Sequence, residues 1–311
     1  MKQIAYYLKT YYREEFKWSF FLALVAFLGL CLYLNYKYDF ENRYLDSFLY
    51  TSEHIPLMIG FYAFAYVSAI LLYAFFYRRT DFLRNPAFWS VSILALVIQG
   101  VNSSFYYLNP VYKQLFDSNT YYFVRKCSNN IISELIYFLP LVVFWFMNDR
   151  HRQPLYGFSK GKLDLKPYFT LLLFMLPLLL WASFQDDFLR SYPSYHPRRD
   201  TSDAFLSHFW TYEVFYGLDF IGTEFFYRGF MVMVLARYLG AGAIMPMVAV
   251  YTFMHFGKPM GEAIGSFFGG AILGILAYYS RSIYGGIIVH LGVAYLMELT
   301  AFLQHLFRKG L

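Results

Sequence analysis

Residues 222–230 read Gly-Thr-Glu-Phe-Phe-Tyr-Arg-Gly-Phe, which puts a carboxylate and a guanidinium four positions apart inside an apolar, aromatic run. The run is long enough to cross a bilayer, whose hydrocarbon core of about 30 Å needs roughly 20 apolar residues per helix. Residues four apart share a helix face, so we expect Glu224 and Arg228 to point together into a helical bundle. A charge pair inside such a segment usually marks a working site.

The composition of the whole chain indicates the same class of protein. Of its 311 residues, 59% are hydrophobic and only 15% are charged, which is typical of a multi-pass helical membrane protein and excludes an ordinary soluble domain. Candidate spans lie near 18–36, 54–77, 87–104, 130–148, 168–184, 205–238, 242–256, 261–280 and 283–306. The sequence therefore predicts an all-α polytopic membrane protein with about eight transmembrane helices.

The third candidate span, 87–104, is the weakest of the set. Gln99, Asn102 and Ser103 interrupt its apolar run. A re-entrant or interfacial helix would have the same pattern, so both interpretations stay open.

The net charge of +6 is best explained by membrane orientation, because cytoplasmic loops of membrane proteins are enriched in Lys and Arg. Basic residues cluster in 2–17, 78–84 and 150–166, which fall on one side if the spans alternate. We therefore expect a protein of the cell membrane with a cytoplasmic amino terminus, an uncleaved first helix, the lipid bilayer as its surroundings and no nucleic-acid partner. Two cysteines, Cys31 and Cys127, exclude a disulfide framework.

The chain divides near residue 150 into two parts of different character. Residues 1–150 carry apolar, aromatic segments without ionisable residues at catalytic spacing, which is typical of a membrane scaffold. In the second half, small and polar residues gather. Four glycines of the eighth span form small-xxx-small patterns that let helix backbones approach closely, namely Gly265, Gly269, Gly270 and Gly274.

Two histidines in later apolar segments, His255 and His290, complete a candidate site with Glu224. A shielded Glu and a neutral His can activate water together, whereas two His and one carboxylate can also hold Zn²⁺ with an open position. Arg228 would neutralise Glu224 or lock two helices by an ion pair. Glu213 precedes Glu224 by eleven residues, about 16 Å along a helix, and is a second candidate carboxylate if the helix bends.

The order of these residues resembles the CPBP family of intramembrane proteases, which includes CAAX prenyl endopeptidases and bacterial self-immunity proteins. The family motifs EExxxR, FxxxH and HxxxN correspond here to Thr223–Arg228, Tyr251–His255 and His290–Ala294. The resemblance implies an intramembrane protease core over 165–306. It also implies that Glu224, Arg228, His255 and His290 line its site.

Three positions depart from the family pattern. Thr223 stands where the family has the first Glu, to which water activation is usually assigned, and Ala294 replaces the Asn that holds the oxyanion. Tyr251 replaces the Phe of the second motif. Glu298 and Tyr295 are candidates to supply polar groups in place of the missing ones.

The resemblance implies an endopeptidase that hydrolyses a peptide bond of a peptide or membrane-protein substrate in a membrane-embedded cavity. Its cofactor is open between none and a divalent metal such as Zn²⁺. Two alternatives remain. One is a non-catalytic relative that acts by binding, as an immunity or partner protein. The other is a transporter that uses Glu224, Arg228 and the histidines as a proton or substrate relay.

Overall fold

The computed structural model describes residues 2–159, 164–196 and 199–309, and these residues form helices and connecting turns without a strand. The α-helices are α1 Lys2–Glu14, α2 Trp18–Tyr38, α3 His54–Tyr77, α4 Pro86–Asn102, α5 Asn109–Leu115, α6 Ser118–Phe144, α7 Lys166–Ala182, α8 Asp186–Ser191, α9 Phe205–Glu224, α10 Met233–Leu239, α11 Ile244–Phe253, α12 Met260–Ser280 and α13 Tyr284–Lys309. Part of the predicted basic loop 150–166, residues 160–163, lies outside the described residues.

Six helical stretches of the described chain are long and apolar enough to cross a membrane: Trp18–Tyr38, His54–Tyr77, Ser118–Asp149, Phe205–Phe253, Met260–Ser280 and Tyr284–Phe307. Two shorter apolar helices, α4 and α7, lie among them. The stretch Phe205–Phe253 contains α9, α10 and α11. The predicted all-α polytopic membrane fold is confirmed.

The helix predicted at 130–148 begins earlier than expected. Its first residue is Ser118, because the Asp117 side chain accepts hydrogen bonds from the backbone N–H groups of Asn119 and Thr120 and so caps the helix. An N-cap stabilises a start in a polar stretch that apolar periodicity alone does not reveal.

The polar residues that weaken the apolar pattern of α4 lie inside the bundle. The Gln99 side-chain oxygen accepts hydrogen bonds from the hydroxyls of Tyr137 and Tyr227, each at 2.8 Å. Asn102 donates to the backbone oxygen of Ser133 at 3.0 Å. These bonds connect α4 to α6 and to the segment after α9, which explains polar side chains in an otherwise apolar helix.

The stretch 205–253 occupies the centre of the molecule. In its most apolar window 78% of residues are buried, against 11% to 50% in the other five candidate spans. Helix α6 of the first half packs against it through aromatic stacking, with ring centroids 4.5 Å apart for Phe138 and Phe225 and 4.7 Å for Tyr137 and Phe226. The two halves of the chain thus share one hydrophobic core.

Contacts between helix ends define one face of the bundle, which we call the amino-terminal face: residues 15–17, 78–85, 145–159, 240–243 and 281–283. The Tyr73 hydroxyl near the end of α3 donates to the Leu239 carbonyl at the end of α10. The Ile283 N–H donates to the Gly157 carbonyl at 3.0 Å.

The other ends of the helices meet at the opposite face. There Asn35 of α2 donates to the Phe256 carbonyl at 3.1 Å, and the Tyr192 hydroxyl donates to Glu262 at 2.8 Å. Successive long helices therefore run in alternating directions between two faces, as a polytopic membrane protein requires.

The glycines of α12 have two different roles. Gly270 and Gly274 face α11, and a Cβ on Gly270 would lie 2.9 Å from the ring of Tyr251. Apart from the neighbouring residues and the backbone of α12 itself, no atom of the described chain lies within 4 Å of a Cβ built on Gly265 or Gly269. One of the two small-xxx-small patterns therefore permits close helix packing, and it positions a side chain of the candidate site.

Candidate active site

Glu224 and Arg228 form a fully buried ion pair. Glu224 ends α9, and Arg228 lies in the π-helical segment Phe225–Val232 that follows. Arg228 Nη1 is 3.0 Å from Glu224 Oε1, and neither side chain is exposed. Single π-helical turns within helices often occur at functional sites.

His290 contacts the same carboxylate from α13. Its Nδ1 lies 2.9 Å from Glu224 Oε1. A carboxylate accepts, so Nδ1 carries the proton, and Nε2 is left as an acceptor. Space for this contact comes from Gly286, one turn earlier on α13, where a Cβ would overlap Glu224 Oε2.

Tyr251 completes the cluster on the other side of the imidazole. Its hydroxyl lies 3.2 Å from His290 Nε2, and since Nε2 is the acceptor, the hydroxyl donates. The guanidinium carbon of Arg228 lies 4.2 Å from the centroid of the Tyr251 ring, which is cation–π geometry. The order Arg228, Glu224, His290, Tyr251 is thus a continuous chain of polar contacts.

His255 joins this chain through Tyr251. It lies in the turn after α11, its Nδ1 is 2.8 Å from the Tyr251 carbonyl oxygen, and the two rings meet edge-on with centroids 4.6 Å apart. Because Nδ1 donates to a carbonyl, Nε2 of His255 is also an unprotonated acceptor. Of the four predicted core residues, Arg228 and His290 therefore both contact Glu224 directly. His255 is connected to them through Tyr251.

Asp219, which the sequence analysis did not predict, is a partly buried carboxylate beside this cluster. It lies one helical turn before Thr223, whose hydroxyl donates to the Asp219 carbonyl at 3.0 Å. Its Oδ1 is buried without a hydrogen-bond partner in the described chain, and its charge interacts with His290. Glu134 approaches from α6 and accepts the Gly222 N–H at 2.9 Å. An ionisable residue in an apolar run is itself the signal that could have found Asp219.

Glu213 lies away from the Glu224 cluster. It is buried, its Oε1 has no partner among the described residues, and its carbonyl accepts the Tyr295 hydroxyl at 2.9 Å. Glu298 accepts the Ser194 N–H with both oxygens, at 2.9 and 3.0 Å. Tyr295 and Glu298 thus bind the backbone here, and Ala294 is a buried apolar side chain.

The site side chains of the described residues are not arranged as a zinc centre. No group of three or more His, Cys, Asp or Glu side chains in the described parts of the chain is arranged to hold a metal ion. Glu224 Oε1 already contacts both Arg228 and His290. The positive charge of Arg228, 3.0 Å away, would repel a metal ion bound to the same oxygen.

A titratable group lies at the opposite face, close to the turn that carries His255. The Glu41 carboxyl is 3.5 Å from where a Cβ of Gly257 would stand. Burial, and then the nearby charge of Asp46, raise the pKa of Glu41 to about 8. This face of the protein therefore changes charge near neutral pH.

Comparison with known proteins bears on this geometry. Residues 205–296 match the family model described as Type II CAAX prenyl endopeptidase Rce1-like. The segment is similar to these endopeptidases. The match covers a little under a third of the chain and includes all three motifs. The resemblance predicted from the motifs is therefore confirmed. The match also supports an intramembrane CAAX protease-type function. Neither the search of curated proteins nor that of solved structures found a match.

Proposed function

We propose that this protein is an intramembrane endopeptidase in which His290, held by Glu224, activates water. The observation that carries the proposal is the 2.9 Å contact between His290 Nδ1 and Glu224, which fixes the tautomer and leaves Nε2 unprotonated. A carboxylate that orients an imidazole in this way also stabilises the imidazolium that forms. The His290 side chain is 14% exposed, whereas Glu224 is fully buried, so His290 is the member of the pair that water can reach.

The proposed reaction needs one base and one oxyanion donor. Water replaces the Tyr251 hydroxyl at His290 Nε2, its oxygen bonds to the scissile carbonyl carbon, and its proton moves to Nε2. When the tetrahedral intermediate collapses, the C–N bond breaks and the same proton passes to the leaving amine. Arg228 stays paired with Glu224 throughout.

Two neighbouring side chains compensate for departures from the family pattern in this proposal. The displaced Tyr251 hydroxyl donates to the oxyanion, a role that Ala294 cannot fill. Asp219 supplies a second carboxylate one turn from Thr223, where the family has its first Glu. His255 Nε2, beside Tyr251, is a second proton acceptor.

The proposed substrate is a peptide or membrane-protein segment that enters between helices. Because the matched family model is described as a CAAX prenyl endopeptidase, peptides with a prenylated cysteine near the carboxyl end are the first to test. We further propose that 165–306 is the catalytic core and 1–150 its scaffold, in a cell membrane with the amino-terminal face in the cytoplasm.

A second candidate function is binding without catalysis. Thr223 and Ala294 favour it, since both lack the polar groups on which hydrolysis in the family depends. In this alternative Glu224, Arg228 and His290 serve only to hold helices together.

Cleavage of a labelled peptide library distinguishes the two functions. The library includes farnesylated and unmodified peptides, and purified full-length protein is tested with and without a chelator. If the protein is an endopeptidase that needs no metal, it cleaves some members of the library to the same extent with and without the chelator. No cleavage of any member, together with retention of a peptide by affinity capture, would instead support binding alone.

A further inference from the structure

A cavity of about 240 Å³ opens at the amino-terminal face, away from the candidate active site. Its lining residues come from three separate segments and are Arg152, Gln153, Met233, Ala236, Arg237 and Arg281. Its volume is below the roughly 300–1,000 Å³ of pockets for drug-sized ligands, so it suits a small group. We call it the arginine pocket.

The arginine pocket carries excess positive charge. Arg237 is paired with the buried carboxylate of Asp149, with Nη1 2.7 Å from Oδ1. Among the described residues Arg152 and Arg281 form no ion pair, so three guanidinium groups face one carboxylate and a net charge of +2 remains. Guanidinium groups stay protonated at any physiological pH and match the geometry of phosphate oxygens.

An unused hydrogen-bond donor lies in the same pocket. The Gln153 side-chain nitrogen is buried and has no acceptor in the described chain, although a buried donor without a partner is destabilising. Gln153 is held in place by its own backbone, since its carbonyl accepts the Trp145 indole N–H at 3.0 Å. Because Gln153 lines the pocket, a turn of its amide toward an oxyanion there would satisfy this donor.

Arg281 occupies a position where glycine would be more stable. It follows α12 in the left-handed conformation, with φ of 54°, which is unfavourable for most residues other than glycine. Its guanidinium carbon lies 5.1 Å from the Tyr278 ring centroid, and Arg281 also lines the pocket. Arg281 therefore costs the helix end some stability, which a ligand would offset.

We propose that the arginine pocket binds a negatively charged phosphate group. The pocket lies at the ends of membrane-spanning helices, where the headgroups of anionic lipids lie, and free phosphate offers the same chemistry. Arg152, Arg281 and the Gln153 amide contact the phosphate oxygens, while the pair of Arg237 and Asp149 forms the floor.

The test uses full-length protein in detergent and follows its unfolding midpoint. Two probes are titrated at constant ionic strength: inorganic phosphate, and short-chain phosphatidylglycerol in mixed micelles, with phosphatidylcholine as the reference lipid. Arg281→Gly removes the guanidinium while suiting the backbone, and Arg152→Gln removes an exposed charge. Arg78→Gly is the matched control, because Arg78 also ends a helix on this face in the left-handed conformation, with φ of 55°.

We expect a saturable rise of the midpoint with at least one probe in the wild type and in Arg78→Gly. The dissociation constant should rise at least tenfold in Arg281→Gly and in Arg152→Gln. Saturation with phosphatidylglycerol alone identifies a lipid headgroup, and saturation with both probes identifies phosphate in general. The proposal is overturned if neither probe saturates, if phosphatidylcholine is equally effective, or if Arg78→Gly weakens binding as much as Arg281→Gly does.

Discussion

Glu224→Gln should destabilise the protein strongly, because it leaves the Arg228 guanidinium without a counter-ion. Arg228 is fully buried, and it would retain the contact with the Tyr251 ring at 4.2 Å. Breaking one partner of a buried pair costs about 3–5 kcal/mol. At about 1.5 °C per kcal/mol for a chain of 311 residues, the unfolding midpoint should fall by roughly 5–8 °C. The double variant E224Q/R228M removes both charges and should regain most of that loss.

The assay is a double-mutant cycle of thermal unfolding in detergent, with Arg43→Gln as the matched control. Arg43 and Asp39 form an ion pair of the same four-residue spacing at 3.2 Å, but their side chains are 80% and 44% exposed. Losing an exposed pair costs about 0–1 kcal/mol. The reasoning fails if Glu224→Gln is no less stable than Arg43→Gln, or if the double variant shows only the sum of the single losses.

Three further changes have defined outcomes. Tyr251→Phe removes the hydroxyl at His290 and should lower kcat for peptide cleavage about 10²-fold or more. The unfolding midpoint, measured by thermal melting, should fall by no more than a few degrees. An unchanged kcat would contradict the oxyanion role. Gly286→Ala should displace the flexible Glu224 carboxylate and lower kcat while the fold persists, and an active variant would show that this contact is not needed. Glu41 has its pKa raised from 4.5 to about 8, so the folded state holds the extra proton and stability falls as pH rises between those values. Glu41→Gln should flatten that dependence in melting curves from pH 4 to pH 9, and an unchanged slope would refute it.

The fold could be predicted well from the sequence because bilayer thickness sets helix length. Apolar runs of about 20 residues gave the main helices, whereas the start of α6 depended on the Asp117 cap in a polar stretch. The hydrogen bonds of Gln99 across three helices could not be foreseen, since partners far apart in sequence decide whether a polar residue fits inside a bundle.

The clustering of Glu224, Arg228 and His290 was predictable from the sequence, whereas the position of Asp219 and the connections between the site residues were not. Helical spacing and motif order indicated that Glu224, Arg228 and His290 would meet. The π-helical segment after Glu224 and the link from Tyr251 to both histidines depend on tertiary packing and have no local sequence signal. Neither the orientation in the membrane nor the division near residue 150 is decided by these contacts, and both stay predictions.

Hydrolysis in ¹⁸O-labelled water tests the central claim most directly. Full-length protein in lipid nanodiscs is incubated with the peptide library, prenylated members included, and fragments are analysed by mass spectrometry. We predict fragments with one ¹⁸O atom in the new carboxyl group from the wild type and from the control Tyr295→Phe, and none from His290→Ala. Equal fragment yields from His290→Ala, or no labelled fragment from the wild type, would contradict an endopeptidase that uses His290 as its base.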